Sequence, residues 1–352
     1  MGLTVTGAFD GGNPQAAAAI ERTADDTFLV RPFSEDGDGN YKFALHVVVR
    51  NDGAEPVPVR LLVDWDDARY MPDRDYVHVG SGEVWRYVPA VVDGTVSTVD
   101  FRCAPGDTHV GISPEYGVER YGRFAAGLEA QLPAGSRAIL GRSPDNRGID
   151  SWSIGAGNKH IFILTRVHPY ETAASYCAEG LLRWLTSQAN AGADWLRRWT
   201  CTAVPMPNPD GVALGLCKRT AASAGADLER EGVERAHPET AAIMELLDRL
   251  RPAGFLDIHG WMHYDEDGIH CNQEATREAF LAAADTTDGL RHNRWNGRYS
   301  SASPTGMRHY SMQNFGAQAL AVSYRWPGRS PDDMRAVGRS TMTAFLAAMG
   351  AD

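Results

Sequence analysis

The chain has 352 residues, 43% hydrophobic and 22% charged, a length that suggests about two globular domains and a composition that excludes disorder and collagen-like repeats. Its 34 Lys and Arg against 45 Asp and Glu leave a formal net charge of −11, which disfavours nucleic acid and anionic lipid as partners. The opening Met1-Gly-Leu-Thr-Val-Thr6 lacks the basic and apolar regions of a leader, no apolar run approaches a membrane span, and five scattered cysteines form no CxxC pair, so a cytoplasmic protein with free thiols is expected.

From Thr4 to Cys103 apolar residues alternate in short runs, at 41–49, 57–63, 83–88 and 95–101, punctuated by clusters such as Asn51-Asp-Gly53. Period two with Gly, Asp and Asn between the runs predicts antiparallel strands, and the absence of any long helical stretch predicts a β-sandwich over residues 1–110. After Ala104-Pro-Gly-Asp107 strands and helices alternate, beginning with Ile161-Phe-Ile-Leu-Thr165, apolar enough to be buried on both faces as in a parallel sheet. A helix at 171–187, a strand at 200–206, a helix at 237–250 and a strand at 255–258 follow. A helix at 277–284, a strand at 319–324 and a helix at 331–349 capped by Ser330 complete an α/β domain over residues 118–352.

The segment Thr165-Arg-Val-His168-Pro-Tyr-Glu171-Thr lies where the buried strand ends and a helix begins, the place where open α/β sheets bind ligands. A spacing of three lets His168 leave the strand end and Glu171 enter the first helical turn, both facing one point. His259 likewise ends an apolar strand, Phe255-Leu-Asp-Ile-His259. Two imidazoles and a carboxylate leave the fourth position of a tetrahedral zinc open, the catalytic pattern. The bland alternative, a histidine that packs or caps a helix, stays open on this motif alone. His263, four residues after His259, reads as a solvated or supporting group because Gly260 argues for a loop.

His168-Pro-Tyr-Glu171, Pro207-Asn-Pro-Asp-Gly211, Arg219, Gly225-Ala-Asp-Leu-Glu-Arg230 and Asp257-Ile-His259 occur in this order. In that order they resemble the zinc metallocarboxypeptidases of the carboxypeptidase A type. Phe9-Asp-Gly-Gly-Asn13 and Leu140-Gly-Arg-Ser-Pro-Asp-Asn-Arg-Gly-Ile149 are similar to the cytosolic carboxypeptidase branch. The resemblance implies one zinc per chain on His168, Glu171 and His259, with Arg219 polarising the scissile carbonyl and stabilising the oxyanion. It also implies that Arg230 grips the substrate's terminal carboxylate, that Asn208 shapes the wall of the site, and that the substrate is a peptide or small amide. Tyr310 is a candidate phenol donor to that substrate.

Two positions depart from the family pattern. Its Asn before Arg230 is here Glu229, which would repel a substrate carboxylate and suits an amino or guanidino group better. Its catalytic Glu, on the strand before the last helix, has no counterpart in Ala319-Leu-Ala-Val-Ser-Tyr-Arg-Trp326, where Ser323 or Tyr324 stands instead. Three outcomes follow: a hydrolase that recruits another base, with Glu229 first and the Asp265-Glu-Asp267 loop second; a hydrolase of a more labile ester or amide; or a zinc-binding pseudoenzyme.

Overall fold

The computed structural model describes residues 2–12, 19–33, 44–66, 75–220, 225, 227–260, 266–271, 273–291, 293–297 and 303–351. Two compact units emerge, Met1–Arg120 with Gly211–Arg219, and Tyr121–Asp210 with Thr220–Asp352.

In the first unit the strands are β1 (Leu3–Thr6), β2 (Ile20–Ala24), β3 (Thr27–Val30), β4 (His46–Asn51), β5 (Val57–Asp64), β6 (Tyr76–Ser81), β7 (Val84–Asp93), β8 (Val96–Cys103) and β9 (Gly106–Gly111). They pair in the order β1-β4-β9-β6-β7-β8-β5-β3-β2, antiparallel except for β3 with β5. The long β7 makes the order continuous: Val84–Pro89 pair with β6 and Ala90–Asp93 with β8. The expectation of an antiparallel β-rich first unit therefore holds. Alternation in β5 and β8 buries Val59, Leu61, Val63, Val99 and Phe101 together, and Trp65 joins them by donating its indole N–H to Ser97 Oγ at 2.9 Å.

The second unit is α/β. Its elements are α1 (Val118–Glu129), which the unit boundary crosses, β10 (Arg137–Arg142), β11 (Gly148–Gly155), β12 (Lys159–Thr165), α2 (Thr172–Asn190), β13 (Trp199–Val204), α3 (Pro209–Ala213), α4 (Leu228–Glu231), α5 (Pro238–Leu250), β14 (Gly254–Gly260), β15 (Asp267–His270), α6 (Glu274–Ala284), β16 (Trp295–Gly297), α7 (Met307–Phe315), β17 (Gln318–Tyr324) and α8 (Pro331–Met349). The sheet runs β10-β11-β13-β12-β14-β17-β15-β16, with β13, β12, β14 and β17 mutually parallel at its centre, antiparallel pairs at β10–β11, β11–β13 and β17–β15, and a parallel pair β15–β16 at the far edge. Helices cover both faces of these central strands, which is why the 161–165 and 255–258 runs are apolar without alternation. Sequence periodicity passes over β10, β11, β15, β16 and α7, because short or amphipathic segments such as Arg308-His-Tyr-Ser311 carry no clear apolar period.

Helices α2 and α8 meet backbone to backbone. A methyl group at Gly180 would lie 1.9 Å from the Arg335 carbonyl oxygen, and one at Gly338 would lie 2.0 Å from that of Cys177. Around this contact Arg335 pairs with Glu179 at 2.6 Å and the Trp326 indole donates to Thr172 Oγ1 at 3.1 Å. Since α2 starts directly after Glu171, this packing fixes where that carboxylate emerges. Gly180→Ala or Gly338→Ala is expected to destabilise the fold by about 3 kcal/mol through forced separation of the helices. Chemical denaturation monitored by circular dichroism would measure it, and an unchanged midpoint would contradict the packing argument.

Candidate metal centre

The loop between β12 and α2 owes its shape to Arg166. This residue adopts a left-handed φ of 53°, uncommon outside glycine. Its buried guanidinium turns back, donating from Nε to the Pro169 carbonyl at 2.7 Å and from Nη1 to Ser175 Oγ at 2.8 Å. The strained residue thus clamps the His168–Glu171 turn to the first turn of α2. Glu171 sits at the N-cap position but accepts no capping hydrogen bond there, because its side chain points elsewhere.

It points at two imidazoles. Glu171 Oε1 accepts from His168 Nδ1 and Oε2 from His259 Nδ1, each at 2.8 Å, and the Gly260 amide donates to Oε2 at 3.2 Å. Each ring has a second carboxylate behind it. His168 Nε2 lies 3.2 Å from Asp227 Oδ1, and His259 Nε2 lies 3.1 Å from Asp257 Oδ2. Gly260 allows the strand end to approach this closely, since a Cβ there would meet Glu171 Cα at 3.2 Å and Ala173 Cβ at 3.1 Å. All three of His168, Glu171 and His259 are buried.

The donor set fits a zinc-like dication. The three ligand atoms lie within 4.8 Å of one another, and a tetrahedral ion would need them about 3.4 Å apart at bond lengths near 2.1 Å, a small opening from hydrogen-bond spacing. With the Nδ1 atoms turned inward and the Nε2 atoms backed by Asp227 and Asp257, both rings would be oriented as carboxylate-supported metal ligands. Asp257 precedes His259 by two residues on one face of β14, a period-two signal already present in the sequence. A second group, His168 with Asp227 and Glu229, also satisfies the 4.8 Å criterion. There, however, Asp227 is already the N-cap of α4, accepting from the Glu229 amide at 3.1 Å, and the one imidazole offered is shared with the first group.

Without a metal the cluster holds protons in its place. Burial drives the His168 imidazolium toward deprotonation, but Glu171 and Asp227 more than offset this and raise its pKa to about 9. Burial likewise opposes charge on His259, and Asp257 and Glu171 push its pKa well above the ordinary value. For Glu171, burial favours the neutral acid, and the two imidazolium rings override it and hold its pKa well below the usual range. Two imidazolium protons and one dication carry the same charge, so they compete for the same place.

Glu229 Oε2 lies 3.7 Å from His168 Nε2, on the side of the ring away from Glu171. Arg230 extends a largely exposed guanidinium whose Nε is 3.6 Å from Asp227 Oδ2. Asn208 is fully buried between β13 and α3. Its neighbour Asp210 accepts from Ser143 Oγ at 2.6 Å, the Asp145 amide at 2.8 Å and Arg147 Nη1 at 2.6 Å. The Asn-Pro-Asp-Gly and Arg-Ser-Pro-Asp-Asn-Arg-Gly motifs are therefore one locked structure. Arg219 is half-buried at the end of the Gly211–Arg219 segment that groups with the first unit. Tyr310 donates its hydroxyl to Asp248 at 2.7 Å, in a pair that also binds Arg235, so its phenol is committed to the α5–α7 packing.

At the end of β17, Ser323 is the neighbour of His259 across the sheet, and Tyr324 turns its hydroxyl to Thr341 of α8 on the opposite face. Within the proposed acidic loop, Asp265 lies outside the described residues, as does His263. Asp267 is buried and held by Arg329 through both carboxylate oxygens, at 2.7 and 2.5 Å, and by the Arg325 amide at 3.1 Å. Both oxygens of Asp267 are thus engaged by Arg329.

No protein-family model matches the chain. An uncharacterized protein of Zymomonas mobilis is 24% identical over 95% of this chain and 90% of its own length. Mouse cytosolic carboxypeptidase 6 is 32% identical over 125 residues, which are 32% of this chain and 23% of the mouse protein, so the match spans about a quarter of that relative. The metallo-carboxypeptidase of Burkholderia cenocepacia superposes over 99% of both chains with a TM-score of 0.81 at 23% identity. That of Pseudomonas aeruginosa, solved in complex with (2-guanidinoethylmercapto)succinic acid, does so over 99% of both chains with a TM-score of 0.79 at 19% identity. The chain thus has the metallocarboxypeptidase fold along its length, and its resemblance to the cytosolic carboxypeptidase branch is borne out.

Because a bound dication must displace the protons on His168 and His259, metal binding at pH 7 is expected to release about two protons. Apparent zinc affinity should then fall by up to about a hundredfold per pH unit on acidification below pH 8. Titration calorimetry in buffers of different ionisation enthalpy measures the released protons, and binding without proton release would contradict the assignment.

Proposed function

We propose that this chain is a zinc-dependent hydrolase of a C–N bond in a peptide or small amide, acting in the cytoplasm. The observation that carries the reading is the buried His168–Glu171–His259 cluster, in which both Nδ1 atoms converge on one carboxylate. A role for this cluster in stability alone is disfavoured, because burying three ionisable groups costs several kcal/mol unless their pairing is close to ideal. His168, Glu171 and His259 would hold the ion, leaving one position open. Zinc supplies a Lewis acid there and an acidified water as nucleophile.

The remaining roles belong to the chain's own side chains. Asp227 and Asp257 fix the tautomers and ring angles of the two histidines. Arg219, permanently charged, is assigned to the negative charge that develops on the scissile carbonyl oxygen. Arg230 is exposed and only loosely paired, which suits a guanidinium that closes on a substrate carboxylate. Glu229 lies behind His168, so its position supports a part in substrate recognition or in orienting that ring over the role of general base. Asn208 lines the site through its buried turn, and Tyr310 drops out because Asp248 holds it. The strands on either side of the β7 hand-over would form the facing layers of a sandwich, with residues 1–110 and 118–352 as the two domains.

A second reading, a metal-binding module without turnover, draws on the absence of any acid from β17. Metal analysis and an activity survey separate the two. Purified protein is expected to carry about one zinc per chain and to hydrolyse at least one member of a panel of peptides with acidic, basic and apolar C-termini and simple N-acyl amino acids. His168→Ala should lose the metal and all activity. Arg219→Ala should keep the metal and lose about 10² to 10³ in kcat. Zinc content near one with no turnover on any member would favour the binding module, and absence of bound metal would sink both.

A further inference from the structure

Helix α7 packs on the sheet face that carries Phe255, Asp257 and His259, where Met307 joins Phe162, Leu164 and Phe255 in one apolar cluster. The next residue, Arg308, is also buried, and its Nη1 donates to the His270 carbonyl at 2.6 Å. His270 pairs with Ala321 and Ala321 with Asp257, so these three residues form one row across β15, β17 and β14. Neighbouring strands lie about 4.8 Å apart, which puts His270 about 10 Å from Asp257 with the small Ala321 side chain between them.

Two polar groups meet in this row without a protein partner. A guanidinium has five N–H donors, and among the described residues that of Arg308 makes the one hydrogen bond to His270. Asp257 turns Oδ2 to His259 Nε2 at 3.1 Å, and its Oδ1 is buried with no partner. Both residues border a cavity of about 10 Å³, whose further walls include apolar Leu164 and Met307 and polar Glu229 and Ser303. That volume admits one water molecule, and several polar walls are what such a molecule needs to stay.

We infer that Arg308 is a positioning residue for His259, acting through one buried water that it shares with Asp257. The water accepts from the guanidinium and donates to Asp257 Oδ1, which leaves its second proton for Glu229 or Ser303 on the cavity wall. A buried carboxylate oxygen is costly to leave unpaired, and this bridge removes the cost. With both oxygens engaged, the Asp257 carboxylate is fixed in rotation, and the His259 ring that rests on Oδ2 is fixed with it. The inference rests on the reading of His259 as a metal ligand of the proposed hydrolase.

The reporter is the proton on His259 Nε2, which faces Asp257 and stays on the ring whether or not a metal takes Nδ1. Its NMR resonance is assigned by its loss in His259→Gln and read with and without zinc. The proteins compared are the unaltered chain, Arg308→Met, Arg308→Lys, Asp257→Asn and the Asp257→Asn, Arg308→Met double variant, with far-ultraviolet dichroism as a check on the fold. Arg308→Met is expected to move the resonance toward its position in Asp257→Asn. Arg308→Lys, whose ammonium also donates to the water, should leave it near that of the unaltered protein. In the Asp257→Asn background Arg308→Met should add no further shift. An unmoved resonance in Arg308→Met, or an equal shift in both backgrounds, overturns the inference. Zinc affinity is a poor reporter, because removing a positive charge near a dication favours binding while a loosened ring opposes it. A change confined to KM with the resonance in place makes Arg308 a substrate contact and also overturns the inference. A high-resolution crystal structure of the unaltered protein needs no variant: ordered solvent within hydrogen-bond distance of Asp257 Oδ1 and the Arg308 guanidinium is expected, and a dry cavity overturns the bridge. Since the resonance is read without metal as well, a protein that binds no zinc sinks the hydrolase reading by itself and leaves the ring proton to decide this one.

Discussion

Glu171 carries two demands at once, because a single buried carboxylate satisfies His168 on one oxygen and His259 on the other, the second from a strand 88 residues further along the chain. Everything near the centre is arranged to make that possible. Arg166 gives up a relaxed backbone so that its guanidinium can hold the Pro169 carbonyl and Ser175. Gly260 gives up a side chain so that β14 can approach the Glu171 backbone. Gly180 and Gly338 do the same where α2 crosses α8, which sets the direction in which α2 begins. A buried charge is tolerated only when its partners are close and complete, and here geometry and electrostatics make the same requirement.

The second ring of carboxylates explains how so acidic a cluster serves a cation. Asp227 caps α4 and faces His168, and Asp257 shares a face of β14 with His259. Each histidine is therefore held between two carboxylates, one at each nitrogen. In the metal-free protein that arrangement stores protons on the imidazoles. The same arrangement presents two oriented nitrogen ligands to a dication once those protons leave. The acidic balance of the whole chain has this local counterpart, in which negative charge is concentrated where positive charge must be bound.

Around this centre, packing redistributes polar residues that look equivalent in the sequence. Asp210 and Asp267 are both buried acids after a strand or at its start, and each is held by an arginine and a backbone amide. Tyr310 and Tyr324 carry free phenols on paper, and each commits its hydroxyl to a neighbour, Asp248 and Thr341. Glu229, by contrast, stays beside the histidine cluster, with Oε2 3.7 Å from His168 Nε2.

The amino-acid sequence alone determined the division into a β-rich and an α/β part, because period-two alternation and doubly buried strands are local patterns. It also determined the metal ligands as candidates, since His168, Glu171 and His259 stand at the ends of strongly apolar runs, and it exposed the acid missing from residues 319–326. What it could not carry was anything set by contacts between distant segments. The side of His168 on which Glu229 lies, the capture of Asp267 by Arg329 and the left-handed turn at Arg166 leave no periodic trace. Those assignments depend on which nitrogen, which face and which row, and only the tertiary structure decides these, because they follow from packing rather than from the order of residues.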